Sequence, residues 1–194
     1  MPAGAASLLD VGAGDGTRSA RIAKAAGIRR LVLLEPSAGM RQQLHVDGAE
    51  VWTIRAEELS SKTDQFDVIT CLWNVLGHIF PEEARVEVLR QCGRLLSPGG
   101  LLFVDVSHRH NLRHYGLRVL RQADVIARWK INGEECATPG HVFTDVEFLS
   151  LAFRAGLALQ KKFVVDYASG EIRRSKFSGH LLYVLSRRER GQLR

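Results

Sequence analysis

Long apolar runs are missing from this chain of 194 residues, and no stretch approaches the roughly 20 residues needed to cross a bilayer, so no membrane partner is expected. Cysteine is scarce. Cys71, Cys92 and Cys136 stand far apart without a Cys-x-x-Cys, which excludes a disulfide framework and a structural zinc site and leaves buried or free thiols. The N-terminus lacks a basic segment followed by a cleavable apolar one, and a cytoplasmic location is the expectation. Low-complexity tracts and internal repeats are absent too, the 18 glycines being spread along the chain. At 45% hydrophobic and 25% charged residues, the sequence reads as one ordinary domain over 1–194 with enough apolar material for a core. A net charge of +6 raises the question of a nucleic-acid partner. The excess lies mainly between Arg109 and Lys130 and in the tail Arg187–Arg194, and no recognisable nucleic-acid module accompanies it, so no such partner is expected.

What is present is concentrated at the start. Ser7-Leu8-Leu9 runs into Asp10-Val-Gly12-Ala-Gly14-Asp-Gly16, which reads as a strand, a tight glycine turn and the beginning of a helix. Glycine takes positive φ and lets a ligand approach the main chain, so glycines at alternate positions point to contact between ligand and backbone. The dinucleotide fingerprint has its third glycine where Thr17 stands, and Asp10 at the strand end would repel a phosphate. A carboxylate there suits an ammonium group, hence a zwitterionic amino-acid ligand.

This segment resembles the first motif of the class I S-adenosylmethionine-dependent methyltransferases, an acid followed by three alternating glycines, and the resemblance extends over most of the chain. It implies a Rossmann-like α/β fold, a doubly wound and mostly parallel seven-stranded sheet with an antiparallel C-terminal strand, and S-adenosylmethionine as cofactor. Asp10, Gly12, Ala13, Gly14 and Gly16 would cradle it. Leu31-Val32-Leu33-Leu34-Glu35 follows, with Glu35 nineteen residues beyond Gly16 and placed to accept from both ribose hydroxyls. By the same resemblance Pro36 belongs to the cofactor site and Met40 lies against the adenine, offering a soft thioether to its face. Ala56 and Glu57, after the third candidate strand Val51–Ala56, lie near its amino group. Met40 reads equally as core and Glu57 as an exposed helix start.

Further along, strands and helices alternate as in a parallel sheet covered on both faces. The pattern predicts a helix over Thr17–Ala26, a strand over Phe66–Leu72, a helix over Pro81–Leu96, a Ser97-Pro98-Gly99-Gly100 turn and a strand over Leu101–Val106. The leucine-rich helix, this turn and the strand after it are also typical of the family. Residues 107–141 break the pattern and read as an insertion or substrate lid. Thr144–Ala155 is helical, and Leu159–Tyr167 and His180–Ser186 read as two long strands joined by a polar turn.

Chemistry is expected beyond the fourth strand, because ligands of open parallel sheets bind outside the strands' carboxyl ends. Cys71-Leu72-Trp73-Asn74-Val75-Leu76-Gly77-His78 is similar to the corresponding segment of glycine N-methyltransferase-like enzymes. The carbonyls of Cys71 and Leu72 would then receive the cofactor's ammonium, Asn74 would orient the acceptor, and His78 would bind its carboxylate or remove a proton, a structural role for His78 being equally open. The asparagine-proline-proline-aromatic signature of amino-directed nucleic-acid methyltransferases is absent. Asp105, His108, His110 and His114 could be taken for metal ligands, but spaced histidines in a basic loop read better as surface residues, and no metal is expected. Asn111, Tyr115, His141 and Tyr167 are the candidate acceptor-facing residues, and the arginines among them favour an anionic small molecule.

The expectation is methyl transfer from S-adenosylmethionine to a nitrogen or oxygen of a small-molecule acceptor. Two rivals are a nucleic-acid or protein methyltransferase using the basic surface, and a non-catalytic cofactor-binding protein. With Asp10 so near the start, family helices that close over the pocket are not seen. A late start site, a pocket completed in a homodimer, or binding without turnover would each account for that.

Overall fold

The computed structural model describes residues 2–131, 134–166, 169–175, 177 and 179–188, without the side chains of Arg113, Ala127, Trp129, Lys130, Ile131, Glu134 and Cys136. Ten strands and five α-helices are formed among them. In chain order these are β1 (Ser7–Val11), α1 (Thr17–Ala26), β2 (Arg30–Leu34), α2 (Ala38–Arg41), β3 (Glu50–Trp52), β4 (Phe66–Cys71), α3 (Glu82–Leu95) and β5 (Leu96–Val106). They continue with α4 (Leu112–Tyr115), β6 (Asp124–Ile131), β7 (Glu134–His141), α5 (Asp145–Arg154), β8 (Leu157–Asp166), β9 (Glu171–Arg173) and β10 (His180–Arg187).

Eight strands make one sheet in the order β3-β2-β1-β4-β5-β10-β8-β9. β1 to β5 are parallel, and β10 enters antiparallel between β5 and β8, pairing Tyr183 with Val104 on one side and with Lys162 on the other. Seven strands match the expectation. The eighth, β9, pairs Ile172 with Val165 in the stretch expected to be only a polar turn. β6 and β7 form a separate antiparallel hairpin within the segment read as an insertion, Asp124 opposite His141 at its base.

Local chemistry explains the helix limits. α1 starts after Gly16 and stops at Gly27, both left-handed, with Ile28 N–H returned to Ala23 O at 2.9 Å. α3 begins after Pro81 with Glu82 and Glu83 at the positive end of the helix dipole and Arg94 in its last turn. Its buried side turns Val86, Leu89, Cys92 and Leu95 into the core. α5 carries a reciprocal cap: Glu147 N–H donates to Thr144 Oγ1, and Thr144 N–H to the Glu147 carboxylate, both at 3.2 Å.

β5 begins before the predicted position. Leu96 already pairs with Phe66, and the register then slips so that Val68 faces Leu101, which makes Ser97–Gly100 a bulge within the strand and not a turn ahead of it. Gly100 has no room for a side chain there, since a Cβ would lie 3.0 Å from Phe66 O.

The main core lies between one face of the sheet and α3 and α5, where Phe66, Phe143, Phe148 and Tyr183 are fully buried. Phe148 stacks on Tyr183 at 4.0 Å between ring centroids, and the Tyr183 hydroxyl donates to Asp145 Oδ1 at 2.8 Å. Burial and that bond to a carboxylate raise the pKa of the Tyr183 phenol. Cys71 and Cys92 sit in this core as free thiols, and burial lifts Cys92 to about 12, so neither is a ready nucleophile. A smaller cluster of Ala5, Leu8, Ala23 and Val68 seats α1 on the opposite face. Among the described residues no helix is long and apolar enough to cross a membrane.

Candidate functional site

The order β2-β1-β4-β5 reverses direction between β1 and β4, and in doubly wound sheets the crevice at such a reversal receives the ligand. A cavity of about 530 Å³ opens there. Of the residues singled out from sequence, Gly12, Glu35, Pro36, Ala56, Glu57 and His78 line it. Ser37, Arg55, Val75 and Ile79 line it too, and nothing in the sequence marked them, because each owes its place to the strand end or turn that carries it.

The glycine loop is fixed by backbone demand. Gly12, Gly14 and Gly16 all hold positive φ, at 74°, 63° and 77°. A Cβ on Gly12 would meet Val75 Cγ2 at 2.4 Å, one on Gly16 would meet Val46 Cγ2 at 2.7 Å, and one on Gly14 would lie 3.4 Å from Met40 Cε. The N–H groups of Gly12 and Ala13 donate to Leu34 O at 2.9 and 3.0 Å, and Gly14 N–H donates to Glu35 Oε2 at 2.8 Å. Ser37 N–H donates to Glu35 Oε1 at 2.8 Å. The Glu35 carboxylate, which lines the crevice, therefore ties the glycine loop to the start of α2, and each oxygen keeps capacity for a second hydrogen bond.

Asp10 is arranged differently from the expectation of a carboxylate open to an ammonium. It is fully buried, accepts from Thr70 Oγ1 at 2.6 Å and Arg18 Nη2 at 2.9 Å, and takes a short bond from Ser19 Oγ. Side chains on a helix lean toward its N-terminus, so Arg18 and Ser19 at the head of α1 reach back to the end of β1 and close over the acid. Asp10 braces the loop from below.

The segment after β4 is the most constrained in the chain. Trp73 and Asn74 are the non-glycine residues at positive φ among the described residues, 66° and 57°, at a cost of about 1–2 kcal/mol each. The ends of two strands, β5 and β7, hold them there. Asn74 N–H donates to Asp105 Oδ1 at 2.7 Å, Ser107 N–H donates to Asn74 Oδ1 at 2.9 Å, and Asn74 Nδ2 donates to His141 O at 3.2 Å. Both ends of the Asn74 amide are thus used in tying β5 and β7 to β4, which departs from the expectation that it faces an acceptor.

Gly77 leaves room for that tie, since a Cβ would fall 2.2 Å from Asn74 Nδ2. Gly77→Ala should therefore displace the amide and lower stability by about 1–3 kcal/mol in a denaturant melt. A wild-type midpoint would show that the tie is slack.

His78 is exposed on the crevice rim, with Nδ1 2.8 Å from Pro139 O of β7. A carbonyl only accepts, so Nδ1 carries the hydrogen and the lone pair of the neutral ring falls on Nε2. Three of the four acceptor-side candidates gather around Ser107 and the hairpin base. Tyr115 lies 2.6 Å from Ser107 Oγ through its hydroxyl, and Asn111 is buried beside it on the same short segment. His141 is clasped between Asp124 Oδ1 at 2.6 Å and Glu147 Oε1 at 2.5 Å. Burial opposes ionisation of Glu147, but the bonds from His141 and Thr144 outweigh it and lower its pKa. Tyr167 lies outside the described residues. Ala13 stays on the loop, and Cys71, the last residue of β4, and Leu72 after it do not line the cavity. No cluster of three metal-ligating side chains occurs among the described residues.

A doubly wound sheet with an antiparallel β10, a glycine loop at the reversal and an acid closing β2 define a class I methyltransferase fold. Comparison with known proteins agrees. A family model described as a methyltransferase domain matches residues 9–102. The chain is 29% identical over 177 residues to the ubiquinone biosynthesis O-methyltransferase of Aeromonas salmonicida, covering 83% of this chain and 66% of that protein. It is 35% identical over 118 residues to its counterpart from Ralstonia nicotianae, covering 58% and 48%. The chain thus spans about half to two thirds of the length of these relatives. Among solved structures, the CcbJ methyltransferase from Streptomyces caelestis superposes with a TM-score of 0.74 at 17% identity, over 96% of this chain and 85% of that one. The sugar N-methyltransferase KedS8 from a Streptoalloteichus species reaches 0.69 at 17%, over 97% and 82%. This chain thus has the fold of the class I S-adenosylmethionine-dependent methyltransferases, and the methyltransferase-domain model matches just under half of its length.

Proposed function

We propose that the protein transfers a methyl group from S-adenosylmethionine to a nitrogen or oxygen of a small-molecule acceptor. The observation that carries this is the crevice at the strand reversal, walled by a glycine loop held at positive φ and by a buried acid bonded to that loop. In this reading the remaining lone pairs of Glu35 accept from the ribose hydroxyls, Pro36 and Met40 flank the adenine on one side, and Ala56 and Glu57 approach its amino edge. Gly12, Ala13, Gly14 and Gly16 leave the backbone open to the methionine portion, and the carbonyls of Cys71 and Leu72 receive its ammonium. Asp10 acts through Arg18 and the loop. The O-methyltransferases and the sugar N-methyltransferase among the similar proteins support a small acceptor.

The cofactor supplies an activated methyl group on a sulfonium, so alignment does most of the work the protein must do. His78, on the rim with its Nε2 lone pair, removes the proton that the acceptor must lose. The segment 107–141, with the hairpin bonded to Asn74 and His78, covers the acceptor side, and Asn111, Tyr115 and His141 shape it. The arginines of that segment, Arg109, Arg118, Arg121 and Arg128, support an anionic acceptor.

Purified protein should show a higher melting temperature with S-adenosylhomocysteine and release that product with one member of a metabolite panel. Absence of any binding by calorimetry would refute the reading, and binding without turnover across the panel would favour a non-catalytic role. With an acceptor in hand, His78→Asn should lose about a hundredfold in kcat with little change in KM. Unchanged kinetics would leave His78 a structural tie to Pro139.

A further inference from the structure

Asp105 is a charged group that the proposed chemistry does not use. It ends β5 fully buried, and its two oxygens differ. Oδ1 accepts from the backbone N–H of Asn74 at 2.7 Å and the Trp73 amide also favours the ionised carboxyl, whereas Oδ2 is buried with no hydrogen-bond partner among the described residues. The peptide units it holds belong to the two residues kept in left-handed conformation, and the next residue, Val75, packs against Gly12 on the crevice wall.

We propose that Asp105 is a positioning residue: its ionised carboxylate holds the Trp73–Asn74 turn in its strained shape, which sets Val75 and His78 against the glycine loop and so fixes the cofactor crevice. This rests on the methyltransferase reading above. Charge is what makes the hold strong, because bonds to a carboxylate are roughly twice as strong as those to a neutral carboxyl, while the conformational cost at Trp73 and Asn74 stays the same. A proton taken up on Oδ2 leaves Oδ1 in place but weakens its hold on both amides.

Burial raises the Asp105 pKa to about 6, against the lowering effect of the two amides and of Arg18. The other groups that feel it are Asp10 on β1, Cys71 on β4 and Tyr115 on α4. The sign follows from the direction of the shift. A carboxyl with a raised folded-state pKa adds global stability as the pH falls through 6, the folded chain then binding more protons than the unfolded one. Cofactor affinity should move the opposite way over the same interval. These opposite signs separate a loosened turn from a failing fold.

The test uses the whole chain labelled with 5-fluorotryptophan, the Trp73 resonance being assigned with Trp73→Phe. In wild type this resonance should shift with a midpoint near pH 6, and the affinity for S-adenosylhomocysteine, measured by calorimetry, should fall about tenfold between pH 7.5 and pH 5. Asp105→Asn, of the same shape but permanently neutral, should show the weak affinity at both pH values and a Trp73 resonance that does not titrate. Equal titration of Trp73 in the two proteins, or full affinity in Asp105→Asn, overturns the inference while leaving the cofactor reading intact. No binding at any pH overturns that reading and this inference with it. Should Asp105→Asn not fold, Trp73→Gly replaces it. Glycine holds φ 66° without cost while Asn74 keeps its own, so its affinity should fall clearly less than tenfold at pH 5, and a retained tenfold fall overturns the inference.

Discussion

Glu35→Ala is expected to weaken S-adenosylhomocysteine binding by about 1.5–3 kcal/mol, on the order of ten- to 150-fold, measured by calorimetry at neutral pH. Two losses combine. In the proposed reading the ribose loses a charged acceptor for its hydroxyls, and the amides of Gly14 and Ser37, each 2.8 Å from a carboxylate oxygen, lose the group that holds the glycine loop to α2. Glu35→Gln separates the two, because its amide oxygen still accepts from one of those N–H groups while the charge is gone. Its affinity should fall between wild type and Glu35→Ala. An unchanged dissociation constant in the alanine variant would remove the acid from the cofactor site, since a carboxylate in the crevice without effect on a bound nucleoside cannot be its ribose ligand.

Asp10→Ala should act on the fold more than on the ligand, lowering stability by about 3 kcal/mol and the melting temperature by roughly 6–12 °C for a chain of this size. The carboxylate is wholly buried and holds Thr70, Ser19 and Arg18. Without it two hydroxyls lose their acceptor and the guanidinium loses its counter-charge. The loss belongs at the low end for a broken buried pair because the Arg18 side chain keeps 25% of its surface in water. Asp10→Asn preserves an acceptor for the hydroxyls and should recover part of the loss. A melting temperature within about 2 °C of wild type would show that the acid is not a brace and would return it to direct ligand contact.

Both predictions concern positions legible without coordinates, but for different reasons. Glu35 was readable in its place, on the crevice wall beside the glycine loop, because a strand of apolar residues ending in an acid, at the right distance past a glycine turn, is a local pattern. Asp10 was readable only as important. Its partners come from the first turn of α1 and from β4, and the pairing with Thr70 spans 60 residues. The turn at 73–78 shows the same limit. Asn74 and His78 were singled out for chemistry, yet the amide of Asn74 is bound at both ends, across separations of 33 and 67 residues. Asp105 was noticed only as one of several side chains that could be taken for metal ligands, because its pairing with Trp73 and Asn74 cannot be foreseen before β4 and β5 are laid side by side.

Alternation of apolar strands and helices, glycines where φ must be positive, caps at Thr144 and Pro81 and an acid closing β2 are short-range facts of covalent geometry and periodicity, and these the amino-acid order determined unaided. Which strand lies beside which, the insertion of β10 between β5 and β8, and the capture of Asp10, Asp105 and Asn74 by distant partners were decided only in the folded molecule. A buried charge or amide must find donors and acceptors wherever the packed strand ends place them, and that placement is a property of the whole sheet and not of any segment.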